Sequence, residues 1–371
     1  MRSIYIVFCV FVVLLSADLT QATIIHVPAD SSTIQGGING AQNGDTVLVA
    51  PNRYADNIDF LGKVITVVSE QGPEVTIIDG CNAGSVVTFS SGEDSNSIIK
   101  GFTLTRGYAE YGGGIYCFGS SPAILNNFLV RNRCAPHRGG PAIYCGYGSN
   151  AKICGNLICL SDGAAAIFIH VEDSVQVVDN TVCDNTWGGL SIQGNSYAYV
   201  KNNIFFNNAP YGIHASVGGK AFIACNDVFG QEDNYAGDLE DQTGNNGNIS
   251  CDPMFCNLGP RYPNFGNYYL ADNSCCVGAG CNLLGNQENI IGALGIGCPK
   301  RPVAIPLGDS NGDGTVEVGD IVFSIKYLYK SGSNPKPLVG GDVNCDGNVD
   351  VGDIVYLINY LFKAGPPPCE R

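Results

Sequence analysis

Five short segments of one kind recur at nearly equal intervals: GIYCFGS from Gly114, AIYCGYG from Ala142, AIFIHVE from Ala166, GLSIQGN from Gly189 and GIHASVG from Gly212. Their starts lie 28, 24, 23 and 23 residues apart. A second series keeps the same rhythm, with Asn127, Asn156, Asn180, Asn203 and Asn226 spaced 29, 24, 23 and 23. Two series with one period imply one structural unit repeated. Each unit holds runs of about four residues, alternating apolar and polar and parted by Gly/Asn turns, which is the pattern of short strands. Strands that short bury no face alone, but coils stacked on one another do. Asparagine tolerates left-handed backbone, and its amide can bond its counterpart in the next coil, so an Asn recurring at one turn fits a ladder. A sandwich would give hairpins every 8–12 residues without this long register. The period predicts a mainly β fold, a right-handed single-stranded parallel β-helix.

The alignment assigns faces. Ile115, Ile143, Ile167, Leu190 and Ile213 are expected to point inward. Their neighbours Tyr116, Tyr144, Phe168, Ser191 and His214 then point outward, followed by a second outward column of Phe118, Gly146, His170, Gln193 and Ser216. Aromatic rings stack on the apolar faces of sugars, so Tyr116, Tyr144, Phe168, His170 and His214 are candidate carbohydrate contacts. The competing reading is that a loop such as 133–140 covers these rings.

The chain begins MRSIYIVFCVFVVLLSADLTQA, with a basic Arg2, an apolar run from Ile4 to Leu15 and small residues ending at Ala22. That is the layout of a secretory signal over 1–22, and the run is shorter than the roughly 20 residues of a membrane span. The mature protein is expected to be exported and extracellular or cell-surface associated. Export and the 16 cysteines left after Cys9 departs point to disulfides. Cys117 and Cys145 share a register position in adjacent coils, as do Cys159 and Cys183, and both pairs are expected to be bridged. The formal charge of −15 argues against nucleic acid or an anionic membrane as partner.

After the signal, STIQGGINGAQNGDTVLVAP places Ile34, Ile38 and Ala41 on one face of a short helix. Ser32 or Thr33 is its N-cap, and a strand begins at Thr46. Such a helix can cap the apolar end of a solenoid. HVPADSSTIQGGINGAQNGDTVLVAPNRYADNIDF, with KVITVVSE and VTIIDG after it, resembles the opening of secreted bacterial right-handed β-helix proteins. The resemblance covers most of residues 23–298 and implies a pectin-lyase-like solenoid. From Asn248 to Gly297 the register is lost, and six cysteines between Cys251 and Cys298 mark a closing segment stapled rather than packed.

No catalytic residue is assigned. Galacturonan-cleaving β-helix enzymes carry an HG dipeptide and an RIK-like segment, and neither occurs in the chain. The arginine and histidine motifs usual in pectate-lyase-like proteins are missing as well. Paired carboxylates remain open as general acid and base: Glu172 and Asp173 follow His170, and Asp162 and Asp184 lie near turns of adjacent coils.

CPKRPVAIPLG marks 299–307 as a linker. Beyond it, DSNGDGTVEVGDIVFSIKYLYKSG and DVNCDGNVDVGDIVYLINYLFKAG agree at 15 of 24 positions, an internal duplication. Each opens with a twelve-residue calcium loop. The ligands are Asp309, Asn311, Asp313, Thr315 (through its carbonyl) and Asp320, then Asp342, Asn344, Asp346, Asn348 (carbonyl) and Asp353. Glu317 and Asp350 act through water. Two calcium ions are therefore expected. Helices follow, with faces of Ile321, Ile325 and Leu328 and of Ile354, Ile358 and Leu361. Cys345 and Cys369 are the module's only cysteines and are expected to clamp its end.

Pro302 and Pro306 stand where the entering helix of a sensor EF-hand would lie, and position 12 is Asp rather than Glu. Two loop–helix halves without entering helices, over 308–366, resemble a type I-like dockerin. That resemblance implies folding with calcium and a cohesin-like scaffold as partner, usually in polysaccharide-degrading assemblies. Val318–Gly319 and Val351–Gly352 depart from the Ser/Thr common at loop positions 10 and 11 of cohesin-reading dockerins. The sequence thus supports a polysaccharide-directed hydrolase or lyase component carried by its dockerin, against a non-catalytic surface or adhesive β-helix with a docking or self-stabilising module.

Overall fold

A computed structural model describes residues 22–262, 265–281, 289–298, 308–311, 315–330, 332, 335, 341, 343–344, 349–363 and 365–368. The signal segment up to residue 21, the linker 299–307, Asp313, Asp342, Cys345, Asp346, Asn348 and Cys369 lie outside the described residues. The chain divides into two compact units, one holding the coils and the other the C-terminal helices.

The coils form three parallel sheets of nine, eight and eight strands. Successive strands of one sheet come from successive coils, which is the topology the period demands. The expected register is observed residue for residue: Ile115 pairs with Ile143, Ile143 with Ile167, Ile167 with Leu190, and Leu190 with Ile213. All five are fully buried. They belong to one continuous apolar core running from Val27 to Tyr235.

The asparagines form the expected ladder. The side-chain amide of Asn127 donates to Asn156 Oδ1 at 3.2 Å, and the series continues through Asn180, Asn203, Asn226 and Asn248 at 2.9–3.0 Å. A second ladder, unseen in the sequence, joins Asn185 to Asn208, whose backbone N–H donates to Gln231. Each rung satisfies buried backbone groups at a turn that has no other partner for them.

At the start of the solenoid, helix α1 spans Ile34–Gly40 with Thr33 as N-cap, its hydroxyl accepting from Gly36 N at 3.0 Å. Ile34 and Ile38 are buried, and the Lys63 ammonium donates to the carbonyls of Ile38, Asn39 and Ala41 at the helix end. The strand after it begins at Thr46, as expected. The closing segment is stapled by Cys225–Cys281 and, in the second unit, Cys256–Cys298.

The bridges expected within the coils are corrected. Cys117, Cys145, Cys159 and Cys183 form no disulfide, although both pairs are in register. In-register side chains on parallel strands run side by side, holding Cβ atoms near the roughly 4.8 Å strand spacing. A disulfide needs Cβ atoms about 3.5–4.5 Å apart and turned toward each other. The buried Cys145 thiol is pushed well above its ordinary pKa, first by its contact with Cys117 and then by burial.

In the second unit, helices α2 (Val318–Tyr329) and α3 (Val351–Lys363) follow the two loops. Ile321, Val343, Ile354 and Leu357 make its small core. The faces expected for the helices are partly corrected. Ile325 is 37% exposed, and Ser324 takes the inner place, donating to Ser310 Oγ at 2.9 Å. On α3 the fully buried residue is Leu357, with Ile358 and Leu361 only partly covered. The buried and partly buried apolar residues of the two helices, Ile321 and Leu328 on α2 and Ile354, Leu357 and Leu361 on α3, fall at i, i+3 and i+7 spacings.

Candidate functional site

The outward column exists, but its rings face one another. Tyr116 and Tyr144 stack at 5.6 Å and 11°, and Tyr144 and Phe168 at 6.2 Å and 10°. Parallel strands at one register force this, because each ring stands above its own strand and meets the next ring face to face. Ring faces within the stack are therefore used up. Tyr144 is only 3% exposed, and burial drives its phenol well above the usual pKa.

A two-stranded parallel ribbon, Tyr108–Tyr111 against Arg133–Gly139, completes the cover. The Tyr111 ring lies 4.9 Å from that of Tyr144. Gly139 packs on Phe168 so closely that a Cβ there would stand 2.8 Å from Phe168 Cγ. The loop over 133–140 thus covers the middle of the column, as the competing reading held, and Tyr144 is not an open sugar contact.

The column opens at its Phe168 end. A cleft of about 440 Å³ is lined there by Phe168, His170, Gln193, Tyr211, Trp187 and the ribbon's Tyr111 and Arg138. A second cleft of about 430 Å³, lined by Tyr108, Arg133, Cys134, Pro136 and Asp162, shares Gly163 and Trp187 with the first. Trp187, half exposed and the chain's only tryptophan, is therefore the ridge between them.

Sequence reasoning missed Trp187, Tyr211 and Tyr111. Each stands one to three residues before the glycine that opens a repeat strand, at Gly189, Gly212 and Gly114, and that offset is the signal that marks them. Tyr116 lies at the far end of the stack. His214 is half-buried beside the cleft, its ring 4.9 Å from Tyr211 and its Nδ1 3.3 Å from Ser191 Oγ. Burial holds the His214 pKa below its ordinary value, opposed in part by Asp238. Ser191 is fully buried and also accepts from Gln193 Nε2 at 3.2 Å, so it orients that amide rather than standing as a nucleophile.

The carboxylates expected as acid–base pairs are engaged otherwise. Asp162 accepts from Thr186 Oγ1 at 2.8 Å, pairs with Arg133 at 3.0 Å and takes the Trp187 indole N–H, and these hold its pKa below the usual range. Asp173 is buried and accepts the backbone N–H groups of Ser149 at 2.7 Å and His170 at 3.2 Å. Burial, outweighing those hydrogen bonds, raises its pKa to about 6. Asp184 accepts from Asn207 Nδ2 at 2.6 Å, and Glu172 is exposed at a left-handed turn. The clefts thus combine aromatic walls with Arg138, which sits over the Tyr111 ring and pairs with Glu110, and with neutral polar groups.

In the second unit, Asp309, Asp320 and Asp353 are buried to 4% or less. Asp320 accepts from Asn311 N at 3.1 Å and Glu317 N at 2.8 Å. Asp353 repeats this with Val343 N at 2.7 Å, Asn344 N at 3.2 Å and Asp350 N at 2.8 Å. The last residue of each loop therefore ties the loop's two ends together. Buried carboxylates such as Asp309, Asp320 and Asp353 are hard oxygen donors, the type that suits a cation such as calcium, while Asp313, Asp342, Asp346 and Asn348 lie outside the described residues.

Comparison with known proteins agrees with this architecture. A dockerin type I domain model matches residues 307–362, and a right handed beta helix region model matches residues 64–229. The chain is thus a right-handed parallel β-helix protein with a C-terminal type I dockerin. Among solved structures, the crystal structure of pectate lyase Pel9A aligns at 14% identity, covering 76% of this chain and 98% of that one, with a TM-score of 0.46. No curated protein matches.

Proposed function

We propose that the chain is an exported, polysaccharide-directed component that binds glycan in the twin cleft beside Trp187 and is held on a cohesin-type scaffold by its dockerin. The observation that carries the reading is the pair of clefts walled by Trp187, Phe168, Tyr211 and Tyr108, joined in one chain to a dockerin. Aromatic walls take the C–H faces of sugars, and Gln193, His170 and Arg138 supply hydroxyl partners. Within the dockerin, the two loops hold one calcium ion each, in keeping with their oxygen donors. The exposed residues Val318, Val322 and Tyr329 on α2, and Val351, Val355 and Phe362 on α3, offer the scaffold two similar apolar stripes.

A second reading is favoured by Asp162 and Asp173. Both are committed to arginine, hydroxyl or backbone donors, and among the described residues lining the two clefts Asp162 is the one carboxylate. On that reading the solenoid retains glycan without cleaving it. One experiment separates the two. The purified protein is titrated with a glycan panel while Trp187 emission, reducing ends and unsaturated uronates are followed. Saturable emission change with product supports a hydrolase or lyase, and emission change without product supports retention. A flat Trp187 signal across the panel overturns the cleft.

A further inference from the structure

The nine-stranded sheet presents an outer face unlike the rest of the molecule. Of the five lysines between residues 23 and 298, Lys63 caps α1, and the other four, Lys100, Lys152, Lys201 and Lys220, all stand on strands of this sheet. None of its nine strands carries an Asp or Glu, in a chain with 34 acidic residues. Lys100, Lys152 and Lys201 fall on every second strand, so their charges recur at roughly 10 Å along the stack. Lys100, Lys152 and Lys220 are exposed and Lys201 is half-buried. Asp179, at the turn after the face, is an acid close enough for Lys201 and Lys152 to act on it.

Aromatic rings share the face with these cations. Tyr197 pairs in register with Lys220, and Tyr199 with Phe222. Tyr199 and Phe222 stack at 5.2 Å and 8°, and Phe222, on the sheet's last strand Lys220–Ala224, is 41% exposed. Tyr197 is 43% exposed, with the small Ser174 as its register partner on one side and the flexible Lys220 on the other.

We propose that this face is a second binding surface, for an acidic polysaccharide, separate from the cleft beside Trp187. Lysines spaced along the coil axis meet anionic groups spaced along an extended polymer, while Tyr197 and Phe222 take sugar C–H faces. At physiological salt, charges beyond about 8 Å are screened, so the face acts through its own lysines despite the acidity of the chain. A nucleic acid duplex is a poorer occupant, because four lysines match few of its charges, one every ~1.7 Å, and its stacked bases offer no face to Tyr197 and Phe222.

The test uses the full-length protein in native gels containing polygalacturonate, dextran sulfate or neutral dextran. Retardation by an acidic polymer, weakened by salt and absent with dextran, is expected, and the two acidic polymers tell carboxylate from sulfate preference. The Lys152→Gln/Lys201→Gln/Lys220→Gln variant should lose about tenfold or more in affinity, and Tyr197→Ala several-fold at unchanged charge. Both should keep the wild-type melting temperature and the wild-type Trp187 titration, whereas Trp187→Ala should leave retardation intact. If the lysine variant is retarded like wild type, if retardation follows Trp187, or if duplex DNA or phosphatidylserine vesicles bind as tightly, the proposal fails. None of those results depends on whether the cleft binds glycan.

Discussion

Asn180 sits mid-ladder, its amide donating to Asn203 Oδ1 and Ile153 O at 3.0 Å while its Oδ1 accepts from Asn156 N and Nδ2. Asn180→Ala strands several buried groups at once, and a cost of about 2–4 kcal/mol is expected in urea unfolding of the solenoid. Ser161 shows the reverse case. Its N–H donates to Asn185 Oδ1 in the second ladder, yet its own hydroxyl is buried without a partner. Ser161→Asn should restore the rung and raise the urea midpoint by the equivalent of about 1 kcal/mol, and an unchanged or lower midpoint would show that the slot is too tight. Asp173 adds a pH signature. Its folded pKa of about 6 lies above the unfolded value near 3.9, so the native state holds the extra proton. That contribution is full below about pH 4 and is lost as pH rises through 6, an effect of about 2–3 kcal/mol. Thermal melts of wild type and Asp173→Asn between pH 4 and 7 should show the wild-type curve falling more steeply.

Strands and helices were legible where a period governs them. An alternation of two and a coil length near 23 fixed register from Ile115 to Ile213, because a slip of one residue would turn every apolar side chain outward. The duplication likewise located both helices after the loops. The covering ribbon and the Phe168 cleft were not legible, since they arise from Tyr111 and Gly139 meeting rings far away in sequence. Ile325 was misplaced because a helical face that reads i, i+4, i+7 can turn by one residue when a neighbour such as Ser324 is small. For the loops, the expected dependence is direct. Asp309→Ala with Asp342→Ala removes the first ligand of each, and circular dichroism of the full chain should then show no gain of helix on adding calcium. A normal calcium-induced gain would mean the loops are held by something other than these oxygens.

For the molecule as a whole, stability is of two kinds. The coils hold through a continuous apolar core and amide ladders, whereas among the described residues the dockerin's core centres on four buried side chains, Ile321, Val343, Ile354 and Leu357. Eight of the chain's acidic residues lie in its two loops, and so small a core cannot offset their mutual repulsion. On the proposal that each loop holds calcium, the bound cation supplies the difference: a ligand present at a thousand times its dissociation constant stabilises by about 4 kcal/mol per site. Chelation should therefore act on one unit alone. Calorimetry of the full chain is expected to give a large transition from the solenoid, unmoved by EDTA, and a smaller one that EDTA shifts down or abolishes and that added calcium, but not magnesium, restores. Magnesium demands tighter octahedral geometry and gives up its water reluctantly, so loops of this breadth should discriminate against it. A single transition moving with calcium would mean instead that the two units unfold as one, and that calcium stabilises the β-helix as well.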